Sequence, residues 1–449
     1  MSFTANFITA SITRAGTSAR ARFRPWCVNA PCIPARYGIM KTMRIEWLDL
    51  PDALDQTRLP MPTTTADFLQ VTQLANLVTS LFWGNNDFYV SPENQLAGAT
   101  SREDVRTSYA VAREPLTGDR PDRIIGYAAL SLPWEPAASA EAQPVTQPTT
   151  AEVNVAVHPD FRRRGVGSAL LREAEAEAVR RGRTVLQSWT DNALVDPAAV
   201  GSGPVFVSGT SLETGLTPVV RTLPESLPEA GRDSIRWKAP DAAFAAAHGY
   251  ELAQVEWTSV LDLREAAGAA LVVESGSGAA EEYGYDLVGW EGTCPEENVE
   301  SMAGVLGRMA AEAPAAALER VAEHWDVARL RAEERARREM GLSIVTTAAR
   351  DRSTGQLVGH SDIETFADLP QAAYQGNTLV YPDHRGRGLA VLLKAVNVSQ
   401  LLRLKPEAER LYTWNAAENG AILRANQELG FVPVSTHPAW QKRLSNQPR

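Results

Sequence analysis

HPDFRRRGVGSALL, residues His158 to Leu171, returns as YPDHRGRGLAVLLK, residues Tyr381 to Lys394. In this alignment Pro159, Asp160, Arg162, Arg164, Gly165 and Leu170 meet Pro382, Asp383, Arg385, Arg387, Gly388 and Leu393, and Val157 meets Val380 just upstream. Solenoid repeats recur every few tens of residues, so copies this far apart make the repeated unit a whole domain.

The surroundings repeat too. Each copy follows a short apolar strand signal, Val153 to Val157 and Thr378 to Val380, and opens a helix signal rich in Ala and Leu. A further strand follows from Thr184 and from Arg410, and then a helix ending in Gly249-Tyr250 or Gly430-Phe431. Upstream, Phe68, Val71, Leu74, Leu77 and Leu81 in one copy, and Val299, Met302, Val305 and Met309 in the other, are spaced for one face of a helix. Hairpin signals with Gly, Asp and Pro turns begin at Ala110 and Val345. The pattern predicts an N-terminal domain over 43–264, a linker over 265–284 containing ESGSGAAEE from Glu274, and a C-terminal domain over 285–449. Residues 192–239 form a Pro- and Gly-rich insertion in the first domain.

A chain of 449 residues is too long for one ordinary core. With 44% hydrophobic and 22% charged residues it can bury real cores. A net charge of −10 argues against a nucleic-acid partner, and no apolar run is long enough to span a bilayer. Cys27, Cys32 and Cys294 match no disulfide frame or zinc spacing, which predicts a reducing, cytoplasmic setting and no metal. Residues 1–42 carry Arg14, Arg20, Arg22, Arg24, Arg36 and Lys41 with no acidic residue. They fit either a transit peptide or an extension upstream of a start at Met40 or Met43, and are left out of the fold.

Both turns fit R-x-x-G-x-[G/A]: Arg162, Arg163, Arg164, Gly165, Val166, Gly167, and Arg385, Gly386, Arg387, Gly388, Leu389, Ala390. Small residues let a phosphate approach the backbone, and the first amides of a helix offer unpaired donors and partial positive charge. No Gly-Lys-Ser/Thr follows, and no G-x-G-x-x-G is present, so neither a Walker loop nor a dinucleotide fingerprint is read. One copy alone fits a structural turn as well as a phosphate cradle. Two copies in the same strand, turn and helix context favour the cradle.

The chain resembles the GNAT acetyltransferase superfamily, whose signature is this strand, turn and helix, and the resemblance runs from about residue 44 to the end. It implies an α/β architecture of two tandem GNAT-like domains, each a mixed twisted sheet with helices on both faces. The tandem arrangement resembles actinobacterial transferases of the mycothiol synthase type, although nothing singles out that acceptor. By the same resemblance the turn amides from Arg162 to Ser168 and from Arg385 to Val391 bind the coenzyme A diphosphate. Val157 and Val380 then offer backbone groups to the pantetheine and to the thioester oxygen. Asn415 and Asn419 suit either helix capping or hydrogen bonds to pantetheine amides. The implied donor is acetyl-CoA and the acceptor a small primary amine, with monomer and homodimer both open.

An acceptor amine is protonated at neutral pH and needs a base. Glu152 stands at the start of the strand before the first turn, and its counterpart by offset is Gln375. In the second copy Asp362 and Glu364 share a strand face with His360. Each carboxylate also fits a solvated strand end. Many family members carry a tyrosine acid four residues before the Gly-Phe pair, where this chain has Ala245 and Asn426. That departure leaves a second class open, an acyl-CoA-binding scaffold or sensor with one or both domains silent. His158 and His384 vary between the copies and read as structural, and Trp189 and Trp414 as core residues. The Asn415 and Asn419 context makes the second domain the preferred catalytic unit.

Overall fold

The computed structural model describes residues 43–57, 61–102, 104–114, 123–134, 148–193, 239–265, 278–312, 314–319 and 324–444. The leader, residues 194–238 of the insertion and residues 266–277 of the linker lie outside the described residues.

The first half runs β1 (Arg44–Trp47), α1 (Thr63–Trp83), α2 (Pro92–Thr100), β2 (Val105–Arg113), β3 (Ile124–Pro133), β4 (Thr150–Val157), α3 (Val166–Arg180), β5 (Val185–Trp189), β6 (Asn192–Ala193), α4 (Pro240–Ala247) and β7 (Glu251–Asp262). The second runs α5 (Gly278–Glu282), β8 (Tyr285–Glu291), α6 (Val299–Glu312), α7 (Val327–Glu339), β9 (Leu342–Asp351), β10 (Leu357–Phe366), β11 (Ala372–Val380), α8 (Leu389–Leu404), β12 (Arg410–Ala416), α9 (Gly420–Glu428) and β13 (Val432–Arg443).

Local chemistry explains the helix ends. Gly84 closes α1 in a left-handed cap at φ 69°. Ser91 caps α2 by accepting from the Asn94 amide, with Pro92 in the first turn. Asp326 caps α7 from the Arg329 amide. The apolar stripe of α1, from Phe68 to Val78, packs on one face of β2–β4 against Tyr109, Val111 and Tyr127. Helices α3 and α4 cover the other face through Leu170, Leu171, Ala242 and Ala245. In the second half α6 and α7 take one face, and α8 the opposite one with Leu389, Leu393 and Leu401.

The strands do not form two separate sheets. Their order is β1-β2-β3-β4-β5-β13-β7-β12-β11-β10-β9-β8 in one sheet, with β6 paired to β13. The chain's last strand, β13, pairs with β5 (Ala439 opposite Trp189), and β7, the last strand of the first copy, pairs with β12 (Trp414 opposite Thr258). Each half thus completes itself with the other's final strand, and β13 against β7 seals the seam. The exchange leaves neither half with an open edge at the junction. Among the described residues, only β4 with β5 and β11 with β12 run parallel.

The halves also cover one another. The segment between α1 and α2 seats Phe88 on Tyr374 and Tyr412 of the second half. The segment between α6 and α7 seats Leu318 on Trp189, Ala253 and Ala439. There the Ala317 amide donates to the Ala253 carbonyl at 3.1 Å, and Gln254 donates to the Pro314 carbonyl at 3.1 Å.

Candidate functional site

Both repeated turns have one geometry. A short helical turn, Pro159–Phe161 or Pro382–His384, leads from the strand. Two left-handed residues follow at matching places: Arg163 (φ 61°) with Gly386 (φ 77°), and Gly165 (φ 85°) with Gly388 (φ 73°). Gly165 and Gly388 are the N-caps of α3 and α8, and neither helix start is capped by a side chain. An oxyanion placed there meets amides with no competing side-chain acceptor, so the residues present fit a diphosphate.

The first arginine of each motif turns inward. Arg162 Nε donates to the Val157 carbonyl at 3.0 Å, and Arg385 Nε to the Val380 carbonyl at 2.8 Å. Each ties the turn to its strand, which spends the carbonyls of Val157 and Val380. The two cradles differ in openness. Arg385, Gly386, Arg387 and Gly388 are all exposed. Arg387 donates to the Tyr285 hydroxyl, which bonds His384 Nδ1 at 2.8 Å. In the first cradle, by contrast, the Phe244 ring lies beside Gly167, and His248 Nε2 is 3.0 Å from Ser168 Oγ. His158 is bonded to Arg123 at 2.9 Å.

Past each turn the parallel strands part. Pairing of β4 with β5 ends at Glu152 opposite Gln187, and pairing of β11 with β12 ends at Tyr374 opposite Tyr412. Residues Val153–Val157 and Gln375–Val380 therefore border a gap that widens toward the cradle. In the second half a bulge between Ser361 and Ile363 shifts the register. Tyr374, rather than Gln375, consequently takes the ladder position of Glu152. Gln375 instead donates to Ser361 Oγ at 3.0 Å.

Of the carboxylates proposed from the sequence, Asp362 and Glu364 are buried and Glu152 is half-buried. Glu152 Oε2 has no hydrogen-bond partner, and burial pushes its pKa up to about 7 against the pull of Arg102. On β10, His360, Asp362 and Glu364 are at most 4% exposed, so they are no solvated strand end. His360 Nε2 lies 3.8 Å from Asp362 Oδ2, and both ring nitrogens, Asp362 Oδ1 and Glu364 Oε2 lack hydrogen-bond partners. Burial raises the Glu364 pKa to about 7, with Arg337 opposing and Asp362 reinforcing the rise. Burial holds the His360 pKa below its ordinary value, against the pull of Asp362. Gly376 on β11 makes room for this group, since a Cβ there would collide with Asp362 Oδ1. Gly376→Ala is expected to displace that carboxylate and lower turnover about 10-fold or more, with coenzyme A affinity, measured by calorimetry, unchanged.

The two asparagines serve local structure. Asn419 Oδ1 caps α9 by accepting from the Ile422 amide at 3.4 Å. Asn415 Oδ1 accepts from Asn426 Nδ2 at 2.6 Å and from Thr413 at 3.1 Å. Asn426, at the tyrosine position, is thus bonded to Asn415, while Ala245 lies in the first core. Trp414 joins the Phe88 and Tyr412 cluster, and Trp189 packs on Leu318.

Sequence reasoning missed several residues here. A cavity of about 70 Å³ on the first half is lined by Asn154, Tyr109 and Arg102, and by Met340, Leu342 and Phe366 from the second. His437 of β13 bonds Asp191 at 2.7 Å across the exchanged strand. Lys394 is buried and Arg337 half-buried, and the charge of each is felt by the β10 carboxylates. Lys394 had a visible signal: it stands inside the repeated motif where the first copy has Leu171.

Comparison with known proteins agrees with this geometry. Residues 78–199 match the family model described as Acetyltransferase (GNAT) family. The mycothiol acetyltransferases of Mycolicibacterium paratuberculosis (strain ATCC BAA-968 / K-10) and Mycobacterium avium (strain 104) are each 32% identical over 162 residues, 34% of this chain and 46% of theirs. The match thus spans about half the length of these relatives. Among solved structures, a tandem GNAT protein from the clavulanic acid biosynthesis pathway aligns with a TM-score of 0.60 and 23% identity, covering 90% of this chain and all of that one. A GCN5-related N-acetyltransferase from Sphaerobacter thermophilus aligns with a TM-score of 0.50 and 12% identity, covering 93% and 98%. The fold is that of a tandem GNAT protein. Within it, residues 78–199 carry the match to the acetyltransferase (GNAT) family model. No helix among the described residues is long and apolar enough to cross a membrane.

Proposed function

We propose that this chain is an acyl-CoA-dependent N-acyltransferase that moves an acetyl group from acetyl-CoA to the primary amine of a small molecule, with turnover in the C-terminal half. One juxtaposition carries this: an exposed, uncapped helix start at Gly388 opens onto the gap beside β11, whose other neighbour β10 buries the carboxylates of Asp362 and Glu364, each with one oxygen that lacks a hydrogen-bond partner. In this reading the amides from Gly386 to Val391 take the diphosphate, and the backbone from Gln375 to Val380 takes the pantetheine arm. The donor supplies an activated acyl carbon. The carboxylates attract the cationic acceptor and remove its proton, for which a base near pH 7 is well matched. The name of the relatives, mycothiol acetyltransferase, supports acetyl as the group transferred. A cytoplasmic setting without nucleic-acid or membrane partners belongs to the same proposal, and the acidic charge balance supports it.

The first half keeps a cradle and a half-buried carboxylate, Glu152, but Phe244 and His248 lean on its first helical turn. It is proposed to bind coenzyme A with little or no turnover. The second reading, a binding scaffold or sensor throughout, is favoured by Asn426 and Ala245 standing where an acid is usual. A thiol-release assay with acetyl-CoA and a panel of primary amines separates the two. Amine-dependent release supports the transferase, whereas saturable coenzyme A binding with no release for any amine supports the scaffold.

A further inference from the structure

At one buried position the two copies of the motif exchange an apolar residue for a charged one. Leu171, in the apolar core under α3, is matched on α8 by Lys394. Lys394 is 1% exposed, its ammonium lies 5.1 Å from the centre of the Phe431 ring, and it forms no hydrogen bond or ion pair with any described residue. Burying a cation without a partner is strongly disfavoured, and an apolar side chain of similar length would avoid the penalty. The first copy shows that Leu serves there.

The surroundings suit a proton in transit. Helix α8 packs on β10, β11 and α9. From those elements Asp362, Gln375 and Asn426 each hold a buried side-chain oxygen with no hydrogen-bond partner. Asp362 is the charged group that bears on Lys394, and Phe431 and the neutral Asn426 stand on the α9 side. Burial brings the Lys394 pKa down to about 7, against the pull of Asp362, which makes its ammonium a far better acid than an ordinary lysine. Asn426 cannot donate a proton in place of the tyrosine usual at its position.

We propose that Lys394 is the proton donor to the departing coenzyme A thiolate in the C-terminal half. This rests on the transferase reading above. As the acceptor nitrogen bonds the acyl carbon, the carbon–sulfur bond breaks, and the sulfur leaves with the electron pair and takes a proton from Lys394. The proton shed by the nitrogen passes to Glu364 and from there to solvent, and Lys394 regains its proton from solvent before the next turnover. Starting from the ammonium form of the acceptor, the net products are the amide, the free thiol and one proton released to solvent.

The test compares the wild-type protein with Lys394→Met and Lys394→Arg, using acetyl-CoA and the thioacetate of an aromatic thiol, whose thiolate leaves without help. With acetyl-CoA, Lys394→Met is expected to lose about 100-fold or more in kcat, with coenzyme A affinity unchanged. With the aromatic donor the loss is expected to shrink to about 3-fold or less, since a good leaving group does not need the acid. Lys394→Arg keeps the charge but not a transferable proton, and is expected to be as slow as Lys394→Met. Equal losses with both donors, full activity in Lys394→Met, or rescue by arginine would overturn the assignment. A wild-type protein that releases no thiol with any amine takes down the transferase reading itself, and this assignment with it.

Discussion

Glu364→Gln is expected to lower kcat with acetyl-CoA about 10²- to 10⁴-fold at neutral pH, the usual contribution of a positioned general base, while leaving coenzyme A binding intact. Glutamine matches the shape of the side chain, and Arg337 keeps Glu333 at 3.3 Å, so the substitution strands no charge. The same assignment fixes a pH dependence. Burial raises the Glu364 pKa to about 7, and only the ionised form accepts a proton. Activity should therefore fall as pH drops through about 7 and level off above it. The negative charge of Asp362 reinforces this rise. In Glu364→Gln that acid limb should move or vanish. Glu152→Gln serves as the contrast: its carboxylate is equally shifted but lies in the half with the covered cradle, and a change below about 3-fold is expected. An unchanged kcat in Glu364→Gln, or a larger loss in Glu152→Gln, would place the chemistry elsewhere.

What could be foreseen and what could not divides along the range of the forces involved. The cradles were legible because a bend needing two left-handed residues and an uncapped helix start is specified by a handful of neighbours, Arg162 to Gly167 and Arg385 to Ala390. The shared face of His360, Asp362 and Glu364 followed from strand alternation alone. Their burial did not, since it depends on α6 and α7 folding over β10. The exchange of β7 and β13 left no mark, because an antiparallel strand shows the same alternation whichever neighbour it meets, and two separate sheets were expected. The bulge beside Ser361 is equally silent, which is why the offset pointed to Gln375 where the ladder places Tyr374. The asparagines were read two ways, and Asn419 is seen capping α9. Asp87 drew no notice at all, since its partners lie in the other half.

Asp87→Ala should therefore produce the largest loss of stability of any single change considered, about 3–5 kcal/mol, the cost of stripping one partner from a buried ion pair. Asp87 is 1% exposed and sits in the segment that the first half sends over the second. Its carboxylate accepts from the Arg410 guanidinium, from the Tyr412 hydroxyl at 2.7 Å and from Gln371 at 3.2 Å, while its carbonyl accepts from Tyr374. The Arg410 side chain is only 14% exposed, so without Asp87 a largely buried guanidinium keeps Glu409, at 2.7 Å, as its acidic neighbour. Asp87→Asn retains an acceptor for these donors and should cost less. The decisive quantity is how the loss is distributed. The halves share one sheet through β13 and β7, so denaturant unfolding should remain a single transition, displaced equally when followed by tryptophan fluorescence and by far-ultraviolet circular dichroism. If the halves were joined only by a linker, Asp87→Ala would instead loosen the Phe88 segment and split the curve, leaving one transition where it stood. A split curve would contradict the exchanged strands.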